Sequence, residues 1–524
     1  MKKTILSLIA LCAAATASAQ DYDRFYENVP FQMNKVVLPS IPDYTVCLTE
    51  FGGTGDGFQS NTEAFARAIA ALEAKGGGKL VVPRGVWVTG PIHLKSRINL
   101  HVSAGALILF SDNYDEYPLI ETNWEGWKAL RATSPIMAHN LTDIAITGQG
   151  VIDGNGEVWR PVKREKMTDN QWRNLLRREN SVTDEAGRLW FPNEGGMKGY
   201  FSGRKYTELT QEEQEEYKTY FRPVLVSIIN CKNILLQGAT FQNSPAWNVH
   251  PLMCEELTVD NVIIRNPWFS QNGDGIDIES CKNVLIVNSS FDVGDDAICI
   301  KSGKDQEGRD RGVPTENLIV DNCIVYHGHG GFVVGSEMSG GARNMLVRNC
   351  TFMGTDVGLR FKSTRGRGGV VENIWIENID MTNIPTHALL FDLYYGGRTR
   401  PGDAVPPVSE ETPSFRNIFI KNITCRGAGT AMLFNGIPEM NVQNVTVENA
   451  LMQSTKGIII NETDGLTLTN VTVFQQEGPA VQMYNAKNIE VDGLHFAEQT
   501  APIVLEGDGN KNIQFKQDYP VTQK

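Results

Sequence analysis

The chain has 524 residues, 41% of them hydrophobic and 21% charged, and a formal net charge of −13. That composition is ordinary for a globular protein. The acidic balance argues against a nucleic-acid partner or an anionic membrane surface, but leaves room for an acidic ligand held by a few clustered cations.

Taken in order, Lys2 and Lys3 precede an apolar run, Ile5 to Ala15, and then the small residues Ala17-Ser18-Ala19. A basic head, a short apolar run and a small-residue cleavage site form a secretory signal. The run is too short to anchor in a bilayer. Cys12 follows Leu11, not a small residue, which argues against a lipoprotein. The expectation is loss of residues 1–19, a mature chain starting near Gln20, and export to the periplasm or beyond the cell. No later stretch is long and apolar enough for membrane insertion.

Residues 20–45 are polar and contain prolines, and read as an extended leader; 46–524 read as one domain. Asn61-Thr62-Glu63-Ala64 predicts a helix start, with Asn61 as N-cap and an acidic first turn. Phe65, Ala68, Ile69 and Leu72 then share one face, and Gly76 ends the helix. Strands follow at Lys79–Pro83, Gly85–Thr89 and Ile98–His101. One helix ahead of many strands suits a cap on the open end of a stacked core.

From there one phrase recurs, a polar residue and Asn followed by alternating apolar residues, at Lys232, Lys282, Glu316, Arg343 and Glu372. Further copies begin at Asn417, Asn444, Gly465, Asn488 and Asn512, with an early one near Asp143. Most spacings are roughly 21 to 34 residues, the range of coil-forming repeats. The period of two means strands. Leucine-rich repeats would show a helix or Leu-dense phrase in each unit, and propellers a longer period. Parallel rungs with Asn at recurrent corners point to an all-β, single-stranded right-handed parallel β-helix. Gly156 to Arg222 breaks the pattern with charges and aromatics, and Thr210-Gln211-Glu212-Glu213 reads as a helix start. This is a partly helical insertion, placed to wall one end of a groove.

Eight cysteines follow Cys12. An even count in an exported chain invites disulfides. Yet Cys231, Cys254 and Cys281 open the same short phrase, and Cys323 and Cys350 fall at matching repeat positions. Equivalent positions stack, so these read as small buried hydrophobes in a ladder. None has metal-site spacing.

The chemistry concentrates between Asn272 and Lys362. Ile276 and Ile278, Ile298 and Ile300, Phe332 and Val334, and Leu359 and Phe361 set inward positions, and the polar residues then fall into columns. Asp274 lies over Asp296, Asp295 beside His329, and Asp356 next in line. Arg360 and Lys362 flank Phe361 on the outer face, and Lys301 matches the place of Lys362. Clustered carboxylates raise at least one carboxyl pKa, as a general acid needs. Two carboxyl groups a water's width apart, roughly 6.5–9.5 Å, are the layout of an inverting glycosidase. The cations suit a substrate carboxylate. Tyr394 and Tyr395 suit stacking on sugar, and Arg365 and Arg367 are weaker substrate-binding candidates.

The ordered motifs Asn272-Gly273-Asp274, Gly294-Asp295-Asp296, Gly328-His329-Gly330 and Arg360-Phe361-Lys362 resemble those of the polygalacturonases, glycoside hydrolase family 28. The likeness runs over nearly the whole mature chain, including Gly52 to Pro83 and Asn243-Ser244-Pro245-Ala246-Trp247. It implies a right-handed β-helix that hydrolyses α-1,4-galacturonide bonds of pectin with inversion and needs no cofactor or metal. It implies Asp295 as general acid, Asp274 and Asp296 holding and activating the water, and His329 tuning the acid. Arg360 and Lys362 hold the galacturonate carboxylate, with Asn272 and Lys301 as further substrate-binding candidates. Gly273 departs from the Thr many members carry. The insertion and the Gly303–Pro314 loop resemble those of bacterial exo-acting members, so the expected partner is an acidic polysaccharide taken from its ends. The rivals are a rhamnogalacturonan hydrolase, a pectate-lyase-type enzyme using calcium on three Asp, and a non-catalytic carbohydrate-binding β-helix.

Overall fold

The computed structural model describes residues 22–396, 404–497 and 502–524. The signal segment 1–19 lies outside them. Alternating burial dictates the architecture. In a strand such as Ile98–Val102 every second side chain is buried, and a strand apolar on one face must stack that face on others. Here 33 strands do so in one sheet whose strand pairs are all parallel, coiled into a right-handed parallel β-helix.

Three columns of strands run the length of the coil. One contains Val226–Ile229, Val249–Leu252, β1 (Ile276–Glu279), β2 (Asp296–Lys301), β3 (Gly328–Val334) and β4 (Thr355–Lys362). Its register pairs Ile276 with Ile298, Ile298 with Phe332 and Phe332 with Leu359. All eight residues expected to face inward are fully buried. Beyond β4 the strands lengthen to bend through several faces, as in Val370–Asp392 and Ser414–Asn435. There a core stack of Phe361, Phe391 and Phe434 has ring centroids 4.6 and 5.3 Å apart.

The recurrent Asn has a backbone cause. Asn283, Asn317, Asn344 and Asn373 all sit at φ between 57° and 60°, a left-handed corner that Asn tolerates better than other residues with a side chain. Their amides also bond along the stack, Asn317 Nδ2 donating to Asn283 Oδ1 at 3.0 Å. A second ladder joins Asn378 to Asn349 and Asn422 to Asn378. The residue before each corner alternates in sign where it matters. Arg343 and Lys282 both reach Glu316, and Arg416 reaches Glu372.

Helix Thr62–Ala74 caps the first rungs through Ala64, Phe65, Ala68, Ile69 and Leu72. Asn61 does not cap it with its side chain. It is buried and instead ties Thr54, Gln59 and Val88 together. The segment 156–222 folds as short helices with a three-stranded antiparallel sheet. Thr210 caps the helix Gln211–Glu216 as expected, in a capping box with Glu213.

The leader is less polar in its contacts than in its composition. Phe25, with Tyr22, Tyr26, Phe31 and Met33 around it, covers Leu285, Val287, Ile319 and Leu346 on the outside of the coil. The eight cysteines are all unpaired, seven of them buried. Cys254 sits between Cys231 and Cys281, the ladder read from the repeats.

Candidate active site

β1 to β4 and the turns before them carry the acidic and basic residues to one place. Backbone bonds from Gly275 N to Asp296 O and from His329 N to Asp295 O fix neighbouring rungs in register. Asp274 and Asp296 are buried, while Asp295 keeps 23% of its side chain exposed. The nearest oxygens of the three carboxylates all lie within 4.8 Å of one another. The oxygens come this close because two of the acids are consecutive and the third is one rung away.

Their environments differ sharply. Burial pushes the Asp296 carboxyl up, but Lys362 and Arg360 outweigh it and hold the group well below the usual range. Lys362 Nζ lies 2.6 Å from Asp296 Oδ2, and Arg360 Nη1 3.3 Å from Oδ1. Asp274 has no such partner. Burial, then the adjacent Asp295 charge, keep its proton bound far above the ordinary carboxylate range, and its Oδ1 makes no hydrogen bond among the described residues. His329 Nδ1 stands 3.1 Å from Asp295 Oδ1, and Nε2 3.7 Å from Asp356 Oδ2. The hydrogen bond to Asp295 raises the imidazole pKa against burial, which lowers it.

Arg360 and Lys362, expected to face substrate, thus serve Asp296 first. Lys362 is nearly buried, whereas Arg360 keeps an unpartnered Nε and lies beneath the half-open Tyr395 ring, 5.6 Å from its centroid. Lys301 is buried and points at carboxylates, 2.8 Å from Glu337 and 3.6 Å from Asp277, with Trp247 4.7 Å away. Asn272 accepts a hydrogen bond from Arg222 at 3.0 Å. Arg365 is bound to Glu439 at 2.7 Å, and Arg367 to Asp305. Tyr394 lies by Arg365.

Sequence reasoning missed much of the floor and the wall. Asp277 is fully buried with both oxygens lacking a hydrogen bond, and burial drives its proton affinity up. Its outward place between Ile276 and Ile278 was a usable signal. Glu279, beneath it, is held by His250 at 2.9 Å and Arg311 at 2.7 Å. The hairpin Leu119–Trp124/Trp127–Ala132 was not read at all. It docks on the helix Asp305–Arg311, Lys128 N donating to Glu307 at 3.0 Å, and stacks Trp124 on Trp247 at 4.5 Å.

Gly273 has a local reason. A Cβ there would lie 1.9 Å from Ser270 Oγ, and one at Gly294 2.4 Å from the same atom. Ser270 thus wedges the two acid-bearing turns together.

A partly exposed carboxylate bonded to an imidazole, beside two buried carboxylates of opposite electrostatic bias on one face of a parallel β-helix, defines a carbohydrate-cleaving hydrolase. The glycosyl hydrolases family 28 model matches residues 194–449. A hyperthermoactive exopolygalacturonase from Thermotoga maritima superimposes with a TM-score of 0.70 at 32% identity, covering 86% of this chain and 96% of that one. A probable polygalacturonase of Vitis vinifera is 28% identical over 86% of each chain. An exo-poly-alpha-D-galacturonosidase of Dickeya chrysanthemi is 27% identical over 85% of this chain and 74% of its own. The chain belongs to glycosyl hydrolases family 28, and is a glycoside hydrolase.

Proposed function

We propose that the protein is exported and hydrolyses α-1,4-galacturonide bonds of polygalacturonate from chain ends, with inversion. The observation that carries the reading is the division of labour among the acids. Asp295, the accessible one, donates a proton to the glycosidic oxygen. The His329–Asp295 pair supplies that proton, since the imidazole binds it more tightly than a free histidine does. Asp274 and Asp296 flank the attacking water, and Asp296, the acid held ionised, orients and activates it. Asp296, with one oxygen on Lys362 and the other on Arg360, is a poor nucleophile, which favours direct attack by water and hence inversion. The free edge of Arg360 and the Tyr395 ring are placed for a uronate. The insertion, the hairpin and the helix Asp305–Arg311 wall the groove on its N-terminal side, which supports attack at chain ends. The likeness to the exo-acting relatives points the same way.

The lyase rival needs a cation among the three acids, and the ammonium of Lys362 already stands 2.6 Å from one of them. The test is a product profile on polygalacturonate. Galacturonate monomer from the first minutes, with the α-bond yielding a β-product by NMR and no new ultraviolet absorbance, is expected. An early ladder of oligomers removes exo action, and an unsaturated product removes hydrolysis. Export rests on residues 1–19, and the N-terminus of the secreted protein is expected near Gln20.

A further inference from the structure

Between the hairpin, the insertion and the turn at Asn272 lies a cavity of about 240 Å³. That is below the roughly 300–1,000 Å³ of pockets for drug-sized ligands, and leaves room for one sugar ring. Its walls include Trp124, Tyr200, Tyr220, Gln271 and two guanidiniums, Arg131 and Arg222. Both are more than nine-tenths buried. Arg222 is committed, donating to the carbonyls of Pro245 and Gln271 and to Asn272 Oδ1. Arg131 is not. Its Nε and Nη2 are buried without a hydrogen-bond partner, as is Gln271 Nε2. Burial, and then Arg222 beside it, lower the Arg131 pKa to about 9. Glu125 is the one carboxylate in the lining, and Lys304 stands 3.5 Å from it. Arg131 otherwise rests on the Trp124 ring, 3.9 Å from its centroid. A buried guanidinium with unmet donors, facing a second guanidinium, calls for an anion.

We propose that this cavity receives the chain-end sugar and that Arg131 reads its carboxylate, so that an ionised uronate is accepted there and its methyl ester or a neutral hexose is not. This deepens the galacturonan reading above and rests on it. Asn272, two residues before Asp274, lines the cavity, so a sugar seated there lies next to the acid cluster. Arg131 is then a specificity residue for the end unit, distinct from Arg360 on the other side of the acids.

The test uses full-length Asp295→Asn protein, titrated by NMR with galacturonate, galacturonate methyl ester and galactose. The acid is expected to bind at least about tenfold more tightly than either neutral sugar, a modest share of what a buried charge contact is worth. Adding Arg131→Met should abolish that preference as read at the Trp124 indole signal in the cavity, and leave galactose binding there unchanged. A merely structural Arg131 would instead weaken all three sugars together. Arg131→Lys, which keeps the charge without the fork, should reduce the preference several-fold, and serves if the Met variant does not fold. An acid preference undiminished in these variants, or absent from the Asp295→Asn protein, overturns the proposal. Should the wild-type protein fail to cleave polygalacturonate while the Arg131-dependent preference holds, the substrate reading falls and the cavity assignment stands. Cleavage without that preference is the converse.

Discussion

Arg360 and Leu390 are neighbours in one column, a single rung apart. After Leu390 the same place is filled by Leu433 and then Ile459. Lys362 is likewise followed by Asp392, Asn435 and Asn461. Strand pairing continues through both regions, with register shifts only between the columns downstream, so the strands do not make the site. The roof does. Upstream, the insertion, hairpin and helix Asp305–Arg311 cover the outer face and force its charges into close pairs. Downstream that face lies outside this roof, and the column carries aliphatic and amide groups with one carboxylate, Asp392. A buried charge needs a partner in place, and in this column the close pairs Asp296–Lys362 and Lys301–Glu337 lie upstream.

The strongest break of this contrast is Asp295→Asn. Loss of a general acid should cut reducing-sugar release from polygalacturonate by about 10²- to 10⁴-fold, with the melting temperature nearly unmoved. Lys362→Met should act on fold and activity together. It leaves the buried Asp296 charge to Arg360 and the more distant Lys301, and roughly 3–5 kcal/mol of stability should be lost in urea titration. Phe434→Ala, in the downstream stack, should cost a similar ~3–5 kcal/mol yet leave turnover per folded molecule near normal. Equal activity losses in the two variants would erase the distinction between the regions. Gly273→Ala should cost about 1–3 kcal/mol by overpacking against Ser270, and Ser270→Gly should restore part of it.

The smallest effect is on pH dependence. The raised pKa of His329 means that its pairing with Asp295 stabilises the fold fully below the unfolded histidine pKa and is lost as pH rises through the folded value. The alkaline limb of kcat/KM should follow the same titration, and His329→Gln should move that limb toward acid. An unmoved limb would remove His329 from the proton supply.

The register of the site was legible because strand alternation has a period of exactly two residues. Once Ile276 and Ile298 were set inward, Asp274, Asp295, Asp296, His329, Arg360 and Lys362 had to converge. What stayed hidden has no period. Arg131 reaches the site from a hairpin that belongs to no rung, and Arg222 closes an insertion with no repeat. Glu337 pairs with Lys301 from an irregular turn 36 positions on. Nor could alternation tell that Arg360 and Lys362 would clamp Asp296, since it gives the face of a residue and not its partner.

The leader has a consequence for how the chain is made. Arg348 Nη2 donates to Phe25 O at 3.1 Å across 323 positions of sequence, and Trp375 stacks on Phe31 at 5.7 Å. During synthesis the segment around Phe25 therefore has no complete dock until Ile319, Leu346 and Arg348 have left the ribosome. Until then its aromatic side chains stand bare, and the outer faces of Leu285 and Ile319 stand bare with them. Such surface invites chaperones or self-association, and the strap closes as a late latch over rungs already wound.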